Sequence, residues 1–242
     1  MRFIYWLLAI SLTLQFNQAL ALEIGEIEAL FAQNQVAELQ LLRKDANTSS
    51  DTEIYPYATL LLDYRLAAAL IQNGDKKAAK VILNNAIKQT RQTIKTAPES
   101  LQSEYQVMLG ALYGLKIIVK PFSAIGLNRK ATRALKASQA LDPKNPRAML
   151  MLGVAKFQTP ALFGGSSKEA LTLLQQGLNA SDENDPVNWG TVDLHLWLGR
   201  AFSKLKQPGA ALTHYQKALE ISPGNHWVIE AMKGNGFDAE KK

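Results

Sequence analysis

Apolar residues recur every three to four positions through nearly the whole chain, with short polar breaks between runs. Strict alternation of apolar and polar residues is almost absent. That period places the apolar side chains on one stripe of a helix, so the pattern predicts an all-α protein built from short, one-sidedly packed helices. The clearest stretch is Val192–Asn225, VDLHLWLGRAFSKLKQPGAALTHYQKALEISPGN. Its small residues, Gly199, Ala211 and Ala218, are twelve and then seven positions apart, and Pro223 follows five later. Small side chains at these places let two antiparallel helices approach closely. Leu198, Phe202 and Tyr215 fill the remaining space, and Pro223 ends the second helix.

The same spacing recurs three more times. Ala67, Ala79 and Ala86 keep it, with Asn73-Gly74-Asp75 as the turn and the second helix expected to run to Ala97 before Pro98. After Leu109-Gly110, the partner Ala131 comes nine residues late, and Ser138 and Pro143 then fall back into register. After Leu152-Gly153, Ala170 comes five late and Gly177 follows seven further on. On these residues the chain resembles the tetratricopeptide repeat over about 60–225. The resemblance implies a right-handed α-solenoid of about four helix-turn-helix units, at about 60–98, 100–145, 146–191 and 192–225. Residues 22–59 are expected to form a helical cap at the front and a polar linker around Asn47–Asp51. Residues 226–242 are expected to form a capping helix and tail, because solenoid ends need cover for their last apolar face.

The late alanines predict long loops between the two helices of units two and three, IVKPFSAIGLNRK and TPALFGG, on one edge of the solenoid. Insertions collected on one face are often the binding ones. Pro121, Phe122, Phe163, Gly164 and Gly165 are therefore candidate edge residues. TPALFGGSSKEA has the composition of a phosphate loop. A phosphate-binding loop of the common type, however, needs Gly, four residues and Gly-Lys-Ser/Thr after a strand. Here the order differs and a helix precedes it. The turn reading accounts for more residues: Pro160 stops one helix, Gly164 and Gly165 permit a reversal, and Ser166 with Glu169 forms a capping box for the next. Leu162 and Phe163 are expected to fold back onto the helix ends.

The first residues and the charge pattern narrow the setting. MRFIYWLLAISLTLQFNQALA carries one charge, an apolar run from Phe3 to Leu14, and Ala19-Leu20-Ala21 as a cleavage site. It reads as a secretory signal peptide over 1–21, and the mature protein is expected to be soluble and periplasmic. The chain has no cysteine. That excludes a lipoprotein anchor, disulfides and thiolate metal sites. Net charge is +6, unevenly spread. Residues 22–63 hold eight acids against two bases, and residues 115–156 hold nine bases against Asp142 alone. A basic region raises nucleic acid as a partner, but export argues against it. Acidic proteins, anionic lipids and anionic glycans suit the compartment better.

Catalytic chemistry is not visible in the sequence. The three histidines, His195, His214 and His226, lack metal-ligand spacing, and nothing resembles HExxH, a nucleophile elbow or a dinucleotide loop. No enzyme activity, metal or cofactor is expected. In such solenoids the first helix of each unit lines the concave side. The face beside the packing residues then presents Tyr64, Ile71, Arg147, Leu150, Phe157, Leu196, Arg200 and Lys204, an apolar groove with a basic rim. The paired lysines that grip a peptide carboxylate in some relatives of the repeat are absent as a set. The reading that follows is a periplasmic scaffold holding a protein or peptide partner of an envelope complex. The alternative is a carrier or accessory subunit enclosing a small apolar anion or lipid.

Overall fold

The computed structural model describes residues 24–48, 56–182 and 189–238. The expected signal peptide, most of the expected linker, residues 183–188 and the end of the expected tail lie outside the described residues. All regular structure within them is helical. Helix α1 covers 24–32. It is followed by α2 (Val36–Thr48), α3 (Tyr57–Gln72), α4 (Lys76–Thr93), α5 (Glu99–Val119) and α6 (Ala124–Leu141). Then come α7 (Pro146–Gln158), α8 (Ser167–Ala180), α9 (Thr191–Lys204), α10 (Pro208–Ile221) and α11 (His226–Gly234). Helices α3 to α10 pack as four successive hairpins, each first helix also touching the first helix of the next unit, and α11 packs on α9 and α10.

The small-residue ruler is the contact line of these hairpins. Ala67, Ala79, Ala86, Ala131, Ser138, Ala170, Ala211 and Ala218 are all buried. The glycines mark the tightest approaches. A Cβ on Gly199 would lie 2.5 Å from the Tyr215 ring, and one on Gly110 or Gly153 would lie 2.6 or 2.8 Å from Leu135 or Leu174. Turns are equally local in origin. Gly74 takes φ +89°, and Asp75 caps α4 by accepting from the Ala78 amide at 2.9 Å. Helix α4 stops at Thr93, and residues 94–96 form a turn, so the helix falls short of the expected run to Ala97.

The two insertions differ from each other. IVKPFSAIGLNRK is not a loop. Helix α5 runs through it to Val119, Pro121–Ser123 make a single 3-10 turn, and α6 begins at Ala124. From Gly110 to the end of α5 is nine residues, against five from Gly153 or Gly199 to the ends of α7 and α9. Helix α6 is longer by the same four residues ahead of Ala131. At 1.5 Å per residue the α5–α6 hairpin projects about 6 Å, one helical turn, beyond its neighbours. A sequence without helix breakers before Pro121 extends the hairpin instead of looping out.

TPALFGG is a loop, held as the composition predicted but by different bonds. Gly164 has φ +86°, whereas Gly165 is required by proximity, since its Cβ would meet the Thr159 carbonyl oxygen at 1.7 Å. Ser166 Oγ accepts from the Glu169 amide at 3.2 Å. The reciprocal half of the capping box is missing. The Glu169 carboxylate pairs with Lys156 Nζ at 2.6 Å, and the Ser166 amide donates to the Lys156 carbonyl. Leu162 and Phe163 do not fold back: they are 88% and 69% exposed.

Candidate functional site

The first helices of the units face a common inner side, and α1 lies across it. A buried ion network fixes that placement. Arg65, in the middle of the apolar run of α3, is 2% exposed. Its Nε and Nη2 donate to the two oxygens of Glu28 in α1, both at 2.7 Å. Its Nη1 and Nη2 donate to Asp193 in α9 at 3.2 and 2.6 Å. Phe31 lies 4.4 Å from the guanidinium and Trp189 5.2 Å from it. Burial alone would lower the Arg65 pKa, but the Asp193 and Glu28 carboxylates outweigh it and hold the group well above the usual arginine value. One cation thus joins the N-terminal helix, the first unit and the last.

The ends meet at a second point. Phe31 stacks on Trp227 of α11 with ring centroids 4.6 Å apart and planes 15° from parallel. The Trp227 Nε1 donates to the Phe31 carbonyl at 2.8 Å. A third link runs from Trp189 Nε1 to the Tyr57 hydroxyl at 2.8 Å and from Tyr57 to Glu104 at 3.0 Å. Glu104 also takes both Nε and Nη2 of Arg147 at 2.8 Å and Asn145 at 2.6 Å. Both oxygens of this buried carboxylate are thereby satisfied.

Between α1, α3, α9 and the α10–α11 turn remains a cleft of about 630 Å³, open to solvent on one side. Its walls include Tyr64, Ile71, Trp189, Leu196, Trp197 and Arg200. Tyr64 sits 6.2 Å from Trp189, and burial pushes its hydroxyl pKa up. Arg200 is half-buried and lies 4.6 Å over the Trp197 ring. Burial lowers its pKa, and no carboxylate makes a salt bridge with it among the described residues. A cation stacked on an aromatic wall, with Asp193 acting on it only at longer range than a salt bridge among the described residues, is suited to an occupant that brings a carboxylate.

The structure sorts the residues expected in the groove. Tyr64, Ile71, Leu196 and Arg200 line the cleft. Phe157 flanks it, edge-on to Trp197 at 5.6 Å, and Lys204 Nζ lies 4.9 Å over Phe157. Arg147 and Leu150 are elsewhere: both are buried, and the Arg147 charge is taken by Glu104 from the preceding unit. Pro121 and Phe122 are on the α5–α6 turn and Phe163, Gly164 and Gly165 on the α7–α8 turn, with Phe122 fully exposed. Arg65, Glu28 and Asp193 form an ion network at the cleft wall that sequence reasoning misses. The available signal is the position of Arg65, a charge inside LLLDYRLAAAL that a packed helix can bury only with a partner. His195 and His214, which lack metal-ligand spacing in the sequence, place their Nδ1 atoms 3.0 Å apart. No third metal-binding side chain joins them among the described residues.

Comparison with known proteins agrees with this architecture. The tetratricopeptide repeat family model matches residues 192–225. No curated protein matches the chain. Among solved structures, the chain is similar to the tetratricopeptide-repeat protein TTC0263 of Thermus thermophilus, with TM-score 0.57 and 19% identity over 88% of this chain and 96% of that one. It is also similar to the HusA haemophore of Porphyromonas gingivalis, with TM-score 0.55 and 16% identity over 77% of this chain and 92% of that one. Residues 192–225 are a tetratricopeptide repeat, and the chain has the fold of a tetratricopeptide-repeat protein.

Proposed function

We propose that this tetratricopeptide-repeat protein is a non-enzymatic periplasmic scaffold whose cleft holds a peptide or helix of an envelope protein complex. Proteins of this repeat class in general serve protein interaction, and the inner face is where such solenoids take their partners. The observation that carries the reading is the aromatic-walled cleft with Arg200 at its side. Three aromatic residues, Tyr64, Trp189 and Trp197, offer rigid apolar contact area, and Arg200 offers the charge-assisted hydrogen bonds that orient an acidic side chain or a C-terminal carboxylate. The open side admits a chain that continues beyond the cleft. The signal-peptide pattern of residues 1–21 supports the export part of the proposal.

The test is crosslinking in intact envelopes followed by affinity capture, comparing wild type with Arg200→Glu and Trp197→Ala. Arg147→Glu is unsuitable, because it would set two buried carboxylates against each other. Loss of the same crosslinked protein from both variants, with unchanged circular dichroism, is the expected result. Equal recovery from wild type and variants overturns the assignment. A cleft of this volume also lies in the range of small-molecule sites. The carrier reading therefore has a distinct outcome: native mass spectrometry of the purified protein would show a bound species of fixed mass, lost in Arg200→Glu, with no protein captured.

A further inference from the structure

We propose that the edge formed by the α5–α6 and α7–α8 turns is a membrane-docking edge that inserts its apolar tips into an anionic lipid surface. The tips are unusual in their exposure. Phe122 is 106% exposed, Leu162 88%, Ile125 70% and Phe163 69%. Large apolar side chains standing this far out of a folded protein gain nothing from the fold itself, and such exposed apolar tips mark an interaction surface. Because α5 and α7 are first helices of neighbouring units and contact each other, their C-terminal ends lie on the same edge of the solenoid. The α5–α6 hairpin projects about one turn beyond its neighbours, so Phe122 and Ile125 lead that edge.

The charge around the tips selects the occupant. Residues 115–141, which include the projecting hairpin, contain six lysines and arginines and no acid. Lys116, Lys120 and Lys130 are close enough that Lys120 and Lys130 help burial lower the Lys116 pKa. A protein partner would need a matching acidic hollow around two separate protruding turns. A bilayer with anionic head groups supplies negative charge around any inserted side chain and accepts Phe, Leu and Ile at the depth of the acyl boundary. Among the described residues no helix is long and apolar enough to cross a membrane. The contact is therefore interfacial, made by a few side chains and by screened charge.

The chain has no cysteine, so a single introduced one reports on one place. Gly126→Cys is beside Ile125, with open space around its Cβ. Lys144→Cys is an exposed site between α6 and α7, on the opposite edge. Each protein, prepared as the exported form without residues 1–21, would carry an environment-sensitive fluorophore and be mixed with vesicles of phosphatidylglycerol and phosphatidylcholine, or of phosphatidylcholine alone. A blue shift at Gly126→Cys with the anionic vesicles, and none at Lys144→Cys, is expected. The shift should weaken at high salt, as screening requires. Adding Phe122→Asp and Ile125→Asp to the Gly126→Cys protein should raise the lipid concentration for half-maximal shift by about tenfold or more. Both substitutions are exposed, so folding is retained and is checked by circular dichroism. No shift at Gly126→Cys, an equal shift at both sites, or an unchanged midpoint in the Asp variant overturns the proposal. So does self-association of the wild type that the Asp variant abolishes, which would make the edge a contact between copies of this chain.

Discussion

Replacing Arg65 by methionine removes the cation that joins three helices and leaves its carboxylates behind. Glu28 and Asp193 both point at the vacated position, each having been bonded through both oxygens. Removing one member of a buried ion pair costs about 3–5 kcal/mol, because the remaining charge is left uncompensated. The two carboxylates are 26% and 17% exposed, so water reaches both and the lower end, about 3 kcal/mol, is expected. Neutralising them as well, in Arg65→Met with Glu28→Gln and Asp193→Asn, should recover about half of that loss, since amides facing each other hydrogen-bond where carboxylates repel. The assay is urea unfolding followed by tryptophan fluorescence. Trp189 lies within 5.2 Å of the site, so the midpoint reports on it directly. The deficit of the single variant should shrink as pH falls, because burial and the facing Asp193 push the Glu28 carboxyl up and Arg65 no longer opposes them. A cost under about 1 kcal/mol, or a triple variant less stable than the single one, would refute the view that Arg65 ties the ends together.

Gly199→Ala should cost about 3 kcal/mol, the upper end for overpacking, because the added Cβ meets a fully buried Tyr215 ring at 2.5 Å. Gly114→Ala, with nothing near its Cβ, should be neutral or slightly stabilising, and thermal melts compare the two. Gly165→Ala should break open the loop over 159–166 and raise its cleavage in limited proteolysis, leaving the helical signal intact. Acid stability should depend on His195, whose pKa is lowered to about 4 by burial, with His214 and Lys217 adding to the effect and Glu220 opposing it. The folded state then binds fewer protons than the unfolded chain between pH 6.5 and 4, so stability present above pH 6.5 is lost as pH falls through that window. Water reaches part of the ring, so about 1–2 kcal/mol of slope is expected rather than the full shift. A His195→Gln variant whose urea midpoint falls as steeply as wild type from about pH 7 to about pH 4.5 would contradict this.

What the sequence shows well is whatever short spacing controls. Gly199, Ala211 and Ala218 announce a hairpin because one residue type at fixed offsets is needed wherever two helices touch. Asn73-Gly74-Asp75 announces a turn because only those side chains suit a positive φ followed by a cap. The groove is half legible. Helix phase puts Tyr64, Leu196 and Arg200 on the inner face, and they line the cleft. The same phase puts Arg147 there too, but Glu104, forty-three residues earlier, draws it into the packing. Helix phase also cannot tell a longer hairpin from a looped insertion, so the α5–α6 extension has the sequence pattern of a loop. Phe31 and Trp227 are 196 residues apart, and no local pattern records that they stack.

That stacking changes what kind of object the repeat array is. An open solenoid behaves as a one-dimensional stack, in which end units fray independently and further units add without penalty. Here the first described helix lies against the last described one, so the two ends of the array support each other. Loss of either end exposes the inner wall of both. The array is expected to melt as a single cooperative body instead of unit by unit, and truncating α11 should loosen α1 at the far end of the chain.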